Sequence, residues 1–211
     1  MRHYADILLS CWMGNLLYYE RNLPHRLPPG SAIFLTFRLA DSLPQAVLAR
    51  LRVQSRSIEI DSTELTYAQQ RRYFGYFDQL LDGSAYGPTW LREPAIASLL
   101  AASLHHFHGK AYELICYCIM PNHVHTVVSL PENSPQLAET LQRIKGYTAL
   151  QANKLLGRTG QFWQRETYDH IVRNGEEMQR ILTYVVNNPV KAGLVESWEQ
   201  WPYTYWSEAM Q

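Results

Sequence analysis

Residues 111–130 read AYELICYCIMPNHVHTVVSL. Tyr112 to Ile119 and His123 to Leu130 are dense in β-branched and aromatic residues, which suit a pleated, half-buried surface. Met120-Pro121-Asn122 between them is a turn signal, so the simplest reading is a β-hairpin. Upstream, Ile33-Phe34-Leu35-Thr36-Phe37-Arg38-Leu39 puts residues 33, 35, 37 and 39 on one face, the pattern of a strand covered on that side. Downstream, Gln161 to Val172 is expected to be extended, with Phe162, Trp163 and Tyr168 as packing residues. Helical signals fill the gaps. Asp41 and Ser42 offer caps for a helix through Val47, Leu48 and Leu51, and residues 64 to 81 and 94 to 107 read as two more, the second entered through Pro94. A longer amphipathic helix runs from about Gln136 to Leu156 and ends at Gly157. In the final helix Asn174 is the cap, Glu177 follows three residues later, and Met178, Ile181, Leu182 and Val185 form the apolar stripe, with Pro189 expected to stop it. Strand, helices, hairpin, helix, strand, helix implies an antiparallel sheet with helices packed against it, an α+β domain.

The bounds agree with one domain. The chain has 211 residues, enough for a single core and short for two. Pro24, Pro28, Pro29 and Gly30 separate a leader, residues 1–22, from a body over 23–211. The apolar run Ile7 to Tyr19 is too short to span a bilayer and lacks a small-residue cleavage site, so the leader is read as poorly packed and no membrane partner is expected. Three cysteines are too few for a disulfide framework, which points to a reducing compartment, the cytoplasm. Nineteen basic residues balance nineteen acidic ones, so there is no overall basic footprint of the kind nucleic-acid partners favour. Locally the balance shifts. Arg143, Lys145, Lys154, Arg158, Arg165 and Arg173 face only Glu166 and Asp169 between residues 141 and 175, either a solvated face or a basic patch.

His123-Val124-His125 carries the first chemical signal. On a strand the period of two sends both imidazoles to one face, with Cα atoms roughly 7 Å apart, a workable pair of metal ligands expected to line a surface-facing groove. On the final helix Tyr184 lies off the apolar stripe, and Asn188 at i+4 projects from nearly the same face, although Pro189 biases Asn188 away from helical geometry. A boundary tyrosine followed by a helix-terminating asparagine is the plainer reading of that helix. Cys116 and Cys118 could join the histidines in a zinc site if the register puts them on the same face. A three-residue turn would put them on the opposite one, and core packing is the preferred reading. His105, His106 and His108 read as local to a helix C-terminus, and Trp198, Trp201 and Trp206 as staples holding the tail to the sheet. Tyr147 and Tyr168 are competing nucleophile candidates, but neither carries an amide at i+4.

Three motifs in order, Cys118-Ile119-Met120-Pro121-Asn122-His123-Val124-His125, then Phe162-Trp163-Gln164-Arg165-Glu166, then Tyr184-Val185-Val186-Asn187-Asn188-Pro189-Val190-Lys191-Ala192-Gly193-Leu194-Val195, strongly resemble the REP-associated tyrosine transposases. These are single-tyrosine members of the HUH superfamily, named for histidine, hydrophobic residue, histidine. The resemblance covers about residues 24 to 206. It implies a ferredoxin-like fold, His123, His125 and Asn188 as ligands of a divalent cation, and Tyr184 as the nucleophile. Trp163-Gln164-Arg165 matches a segment the family keeps near its DNA-binding surface. Lys145, Arg165 and Arg173 are accordingly assigned to nucleic-acid binding. The implied partner is single-stranded DNA with a hairpin from a palindromic repeat, handled by a monomer or homodimer.

The implied chemistry suits these residue types. At neutral pH a tyrosine is only about 0.1% phenolate, so attack on a phosphodiester needs electrostatic help. A cation on mixed nitrogen and oxygen ligands supplies it; Mn²⁺ suits that set and Mg²⁺ is admitted. The expected product is a 5′-phosphotyrosine with a free 3′-hydroxyl, which allows rejoining. Two other readings stand beside this one: a catalytically silent, regulatory DNA-binding protein, which the intact residues argue against, and a metal-free RNA-binding ferredoxin-like module, whose usual aromatic string is not visible.

Overall fold

The computed structural model describes residues 30–49, 67–83 and 86–207. The leader 1–22 and the first residues of the helix expected at 64 to 81 lie outside the described residues. Strand β1 (Ala32–Leu39) is followed by helices α1 (Tyr67–Asp82) and α2 (Pro94–Phe107), strands β2 (Glu113–Ile119) and β3 (His123–Ser129), helix α3 (Leu137–Leu155), strand β4 (Trp163–Ile171), helix α4 (Gly175–Val186), a single turn α5 (Asn188–Lys191) and a short strand β5 (Thr204–Trp206). The sheet order is β4-β1-β3-β2-β5, and every pairing is antiparallel. The α+β antiparallel sheet read from the sequence is therefore the observed architecture, and its first four strands have the 4-1-3-2 order of a ferredoxin-like sheet. Among the described residues no helix is long and apolar enough to cross a membrane.

Alternation along β1 divides the interior in two. Ile33, Leu35, Phe37 and Leu39 face α2 and α3, where they meet Leu100, Leu104, Leu141, Ile144, Phe162 and Trp163 in one buried cluster. Phe34 turns the other way and joins Cys116, Cys118, Met120, Val127, Leu182 and Val185 beneath α4, with Phe74 of α1 packed against them. The stripe Met178, Ile181, Leu182 and Val185 thus docks α4 as its helical spacing requires. Its cap is the expected one: Asn174 accepts from the Glu177 amide at 2.9 Å. The Glu177 carboxylate accepts one residue earlier than a capping box requires, from the Arg173 amide at 2.7 Å.

Three local expectations are corrected. Pro189 does not stop the last helix; the helix breaks at Asn187, and Pro189 sits in the first turn of α5, where its missing N–H costs nothing. Asp41 and Ser42 do not cap a helix. The helical residues 45–49 follow Pro44, Asp41 takes a left-handed turn with φ 60°, and the Ser42 hydroxyl accepts from the Arg38 guanidinium at 3.0 Å. Gly87 is required against that turn, because a Cβ there would collide with the Asp41 carbonyl. The hairpin register pairs Ile119 with Val124 and Cys118 with His125, so the two cysteines share a face with the histidines. They are core residues there, fully buried, and burial pushes the Cys118 thiol up to about 12. The stapling of the tail to the sheet is as expected for two of the tryptophans: Trp206 lies in the edge strand β5 beside β2, and the Trp201 indole donates to the Ile119 carbonyl at 2.9 Å.

Candidate metal and nucleophile site

The central strand β3 places His123 opposite Arg38 and His125 opposite Thr36 on β1, with both imidazoles on the α4 side of the sheet. The strand's period of two is what puts them on one side. Their Nε2 atoms lie 3.0 Å apart. The other ring nitrogens are engaged: His123 Nδ1 meets Asn122 Oδ1 at 2.7 Å, and His125 Nδ1 meets Thr36 Oγ1 at 2.8 Å. Asn122 Nδ2 donates to the Leu81 carbonyl at 3.1 Å, which leaves Oδ1 to accept from His123 Nδ1–H. The Nε2 lone pair is then free to ligate, the arrangement that outer partners commonly impose on metal-binding histidines. His123, His125 and Asn188 are each 0% exposed. The surface-facing groove expected from the sequence is therefore a closed site, because α1, α4 and α5 cover this face.

Helix α4 brings Tyr184 within 5.5 Å of His125, ring centre to ring centre, and α5 buries Asn188. Neither polar atom of the Asn188 side chain has a hydrogen-bond partner. Helix α1 brings what the sequence did not reveal. Asp78 and Asp82, one turn apart on α1, reach into the same site. Asp78 Oδ1 is 3.1 Å from His125 Nε2 and 3.9 Å from His123 Nε2, and Asp82 Oδ1 is 3.6 Å from His123 Nε2. The Tyr184 hydroxyl donates to Asp78 Oδ2. Lys191 Nζ bridges Asp82 Oδ2 at 2.8 Å and Asp78 Oδ2 at 3.4 Å. The only hint in the sequence was a pair of acids at i and i+4 on a helix, a spacing that more often marks a solvated face.

The electrostatics follow from burial and from this crowding. Burial, reinforced by His125, pulls His123 down to about 3, so its ring is neutral. Burial would raise Asp78, but the His125 and His123 imidazoles and the Tyr184 hydroxyl outweigh it and hold the carboxyl below its usual range. Burial and the Asp78 charge push Asp82 up to about 6. Burial and the same charge hold the Tyr184 phenol protonated far above its ordinary value. Two imidazoles and two carboxylates, with ligand atoms all within 4.8 Å of one another, form a buried group that could hold a metal ion.

The other candidates fall elsewhere. Tyr147 is 55% exposed on α3, across the sheet from the histidines. Tyr168 stacks on Phe74, ring centres 4.3 Å apart, and burial raises its phenol. Arg165 and Arg173 are exposed, one near the start of edge strand β4 and the other just beyond its end. Lys145 is drawn inward, donating to the carbonyls of Gln164 and Arg165 and to the Thr167 hydroxyl at 2.7, 3.0 and 3.2 Å, so it fastens α3 to β4. His108 is local, as expected, its Nδ1 accepting from the Leu114 amide at 3.0 Å.

The family described as "Transposase IS200 like" matches residues 92–188, a span that holds His123, His125, Tyr184 and Asn188 and leaves out Asp78, Asp82 and Lys191. A putative REP-associated tyrosine transposase of Haemophilus influenzae is 31% identical over 102 residues, 44% of this chain and 58% of that protein. The REP-associated tyrosine transposase of Escherichia coli is 26% identical over 95 residues, 45% of this chain and 54% of that protein. The matches thus span little more than half the length of either relative. The solved structure of a REP-associated tyrosine transposase bound to a REP hairpin aligns with a TM-score of 0.50 at 17% identity, covering 87% of this chain and 81% of the other, and shares the fold. Over the segment that carries both histidines, the tyrosine and the asparagine, this chain is similar to the IS200-like transposases and in particular to the REP-associated tyrosine transposases.

Proposed function

We propose that this chain cleaves and rejoins single-stranded DNA flanked by a hairpin, with Tyr184 as the nucleophile and with His123, His125 and Asn188 holding Mg²⁺ or Mn²⁺. The observation that carries this reading is the convergence of the Tyr184 hydroxyl, two imidazole Nε2 atoms and two carboxylates in one buried site, with the buried Asn188 side chain beside the tyrosine hydroxyl. The donor set fits a hard to borderline divalent ion: two imidazole Nε2 atoms 3.0 Å apart, and buried oxygens without hydrogen-bond partners. When bound, such an ion polarises a phosphodiester and stabilises the departing oxygen.

The chain's own residues supply the rest. Tyr184 Oη attacks phosphorus as the P–O3′ bond breaks, leaving a 5′-phosphotyrosine and a free 3′-hydroxyl; a 3′-hydroxyl attacking the phosphotyrosine reverses the step and frees the tyrosine. Asp78 is placed to hold the Tyr184 hydroxyl in one orientation. Lys191, beside both carboxylates, offsets their charge as a phosphate approaches. Arg165 and Arg173 are the candidates for phosphate contacts along the β4 edge. Lys145 serves that edge indirectly, by holding it. The hairpin preference is drawn from the relative whose solved structure contains one. Incubation with Mn²⁺ and hairpin-flanked single strands is expected to give a covalent adduct, with mass spectrometry placing the 5′-phosphate on Tyr184. Tyr184→Phe should bind the same DNA and form none. A fully active Tyr184→Phe, or a phosphate on Tyr147 or Tyr168, overturns the assignment.

A further inference from the structure

The cation site is larger than two imidazoles and an amide. An octahedral ion with bonds of roughly 2.1 Å sets adjacent ligand atoms roughly 3.0 Å apart and opposite ones roughly 4.2 Å. His123 Nε2 lies 3.0 Å from His125 Nε2, 3.9 Å from Asp78 Oδ1 and 3.6 Å from Asp82 Oδ1, and His125 Nε2 lies 3.1 Å from Asp78 Oδ1. These four separations are inside that range, and the four ligand atoms all lie within 4.8 Å of one another. Lys191 occupies the Oδ2 side of both carboxylates and leaves each Oδ1 turned toward the histidines, buried and without a hydrogen-bond donor. One ammonium offsets only one of two buried carboxylates, and an uncompensated buried charge is costly. Asn188, 0% exposed, lies beside the Tyr184 hydroxyl that Asp78 holds.

We infer that Asp78 and Asp82 are ligands of the same divalent cation, so that α1 supplies two oxygens to a site whose other ligands come from β3 and α5. The inference rests on the proposed function for the existence of the cation, and adds residues that lie before the segment shared with the IS200-like family. Asp78 is then the link between ion and nucleophile, with Oδ1 on the metal and Oδ2 on the Tyr184 hydroxyl. Two imidazoles with two carboxylates favour Mn²⁺ over Mg²⁺.

The test needs no DNA. Titration of the full chain with Mn²⁺, followed by the electron paramagnetic resonance signal of the free ion, is expected to show one tight site that His123→Ala removes. Asp78→Asn and Asp82→Asn should each weaken it by roughly tenfold or more, since even outer-shell partners of a metal carry that much. In chelator Asp82→Asn should melt no lower than the wild type, because it removes a carboxylate that burial and the Asp78 charge disfavour, whereas Asp78→Asn loses the partners that favour its charge and should melt lower. Folded variants with wild-type Mn²⁺ affinity would show that the carboxylates only pair with the imidazoles, and would overturn the proposal. Absence of a Mn²⁺ site in the wild type would overturn it too. If Asp78→Asn does not fold, Asp82→Asn decides alone, with unchanged affinity counting against the proposal. Because DNA is absent, these results are independent of whether Tyr184 forms an adduct.

Discussion

The two faces of the sheet are built from the same strands and could hardly differ more. Toward α2 and α3 the interior is almost purely hydrocarbon and aromatic, and Phe37 meets Trp163 edge to face with ring centres 5.0 Å apart. Toward α1, α4 and α5 the alternate positions of β1 present Phe34, Thr36 and Arg38, and β3 adds two histidines, above which stand two aspartates and an asparagine. One side holds the chain together. The other buries polar groups whose partners are incomplete, an arrangement that costs stability and persists where it serves a function.

That contrast can be broken from either side. The largest effect on stability is expected from Phe37→Ala, which empties a site that is 1% exposed; urea denaturation should show a loss of about 3–5 kcal/mol. Mn²⁺ affinity of the folded fraction should not change, and a large loss of affinity would mean that the faces are not separate. His125→Ala is expected to do the reverse. It leaves the Thr36 hydroxyl without its 2.8 Å partner and should cost about 1–3 kcal/mol in chelator, while the rise in melting temperature on adding Mn²⁺ disappears. A Mn²⁺-dependent rise that survived would remove His125 from the ligand set.

The smallest and most diagnostic effect concerns pH. Burial and the Asp78 charge raise Asp82 to about 6 in the folded chain, above its ordinary 3.8. A carboxyl raised in this way gives stability that is fully present below the unfolded value and is lost as pH rises through the folded one. In chelator, Asp82→Asn should therefore be the more stable protein at pH 8, and the advantage should fade between pH 6 and 4 as wild-type Asp82 takes up its proton. An advantage independent of pH would mean that Asp82 is not ionised against its surroundings.

What the sequence disclosed follows from the range of each physical signal. The strand at Ile33–Leu39, the Asn174 cap and the shared face of His123 and His125 are local, encoded in periods of two and in side-chain chemistry three residues apart. Turn length was less legible. With Ile119 opposite Val124, the hairpin carries Cys116 and Cys118 to the histidine face, and one residue fewer in the turn would have sent them to the other. Asp78 and Asp82 were illegible for a deeper reason. Acids at i and i+4 look the same on a solvated helix as on one pressed against a sheet, and only the packing of Phe74 beside Phe34 and Tyr168, ring centres 5.5 and 4.3 Å apart, determines which it is. The same covering turned an expected groove into a closed site.

Asn122 joins three things at once. Its backbone carbonyl accepts from the Leu39 amide at the end of β1, its amide nitrogen donates to the Leu81 carbonyl in α1, and its amide oxygen fixes the proton of His123 on Nδ1. If α1 lifts, the Leu81 acceptor goes with it, and the freed amide can rotate to present N–H to that ring nitrogen. The proton then belongs on Nε2, where it blocks ligation. Seating of the helix and affinity for the ion are consequently two readings of one coupling free energy, and such couplings are reciprocal. Whatever factor the seated helix adds to the affinity of an ion held here, that ion would return to the seating of the helix.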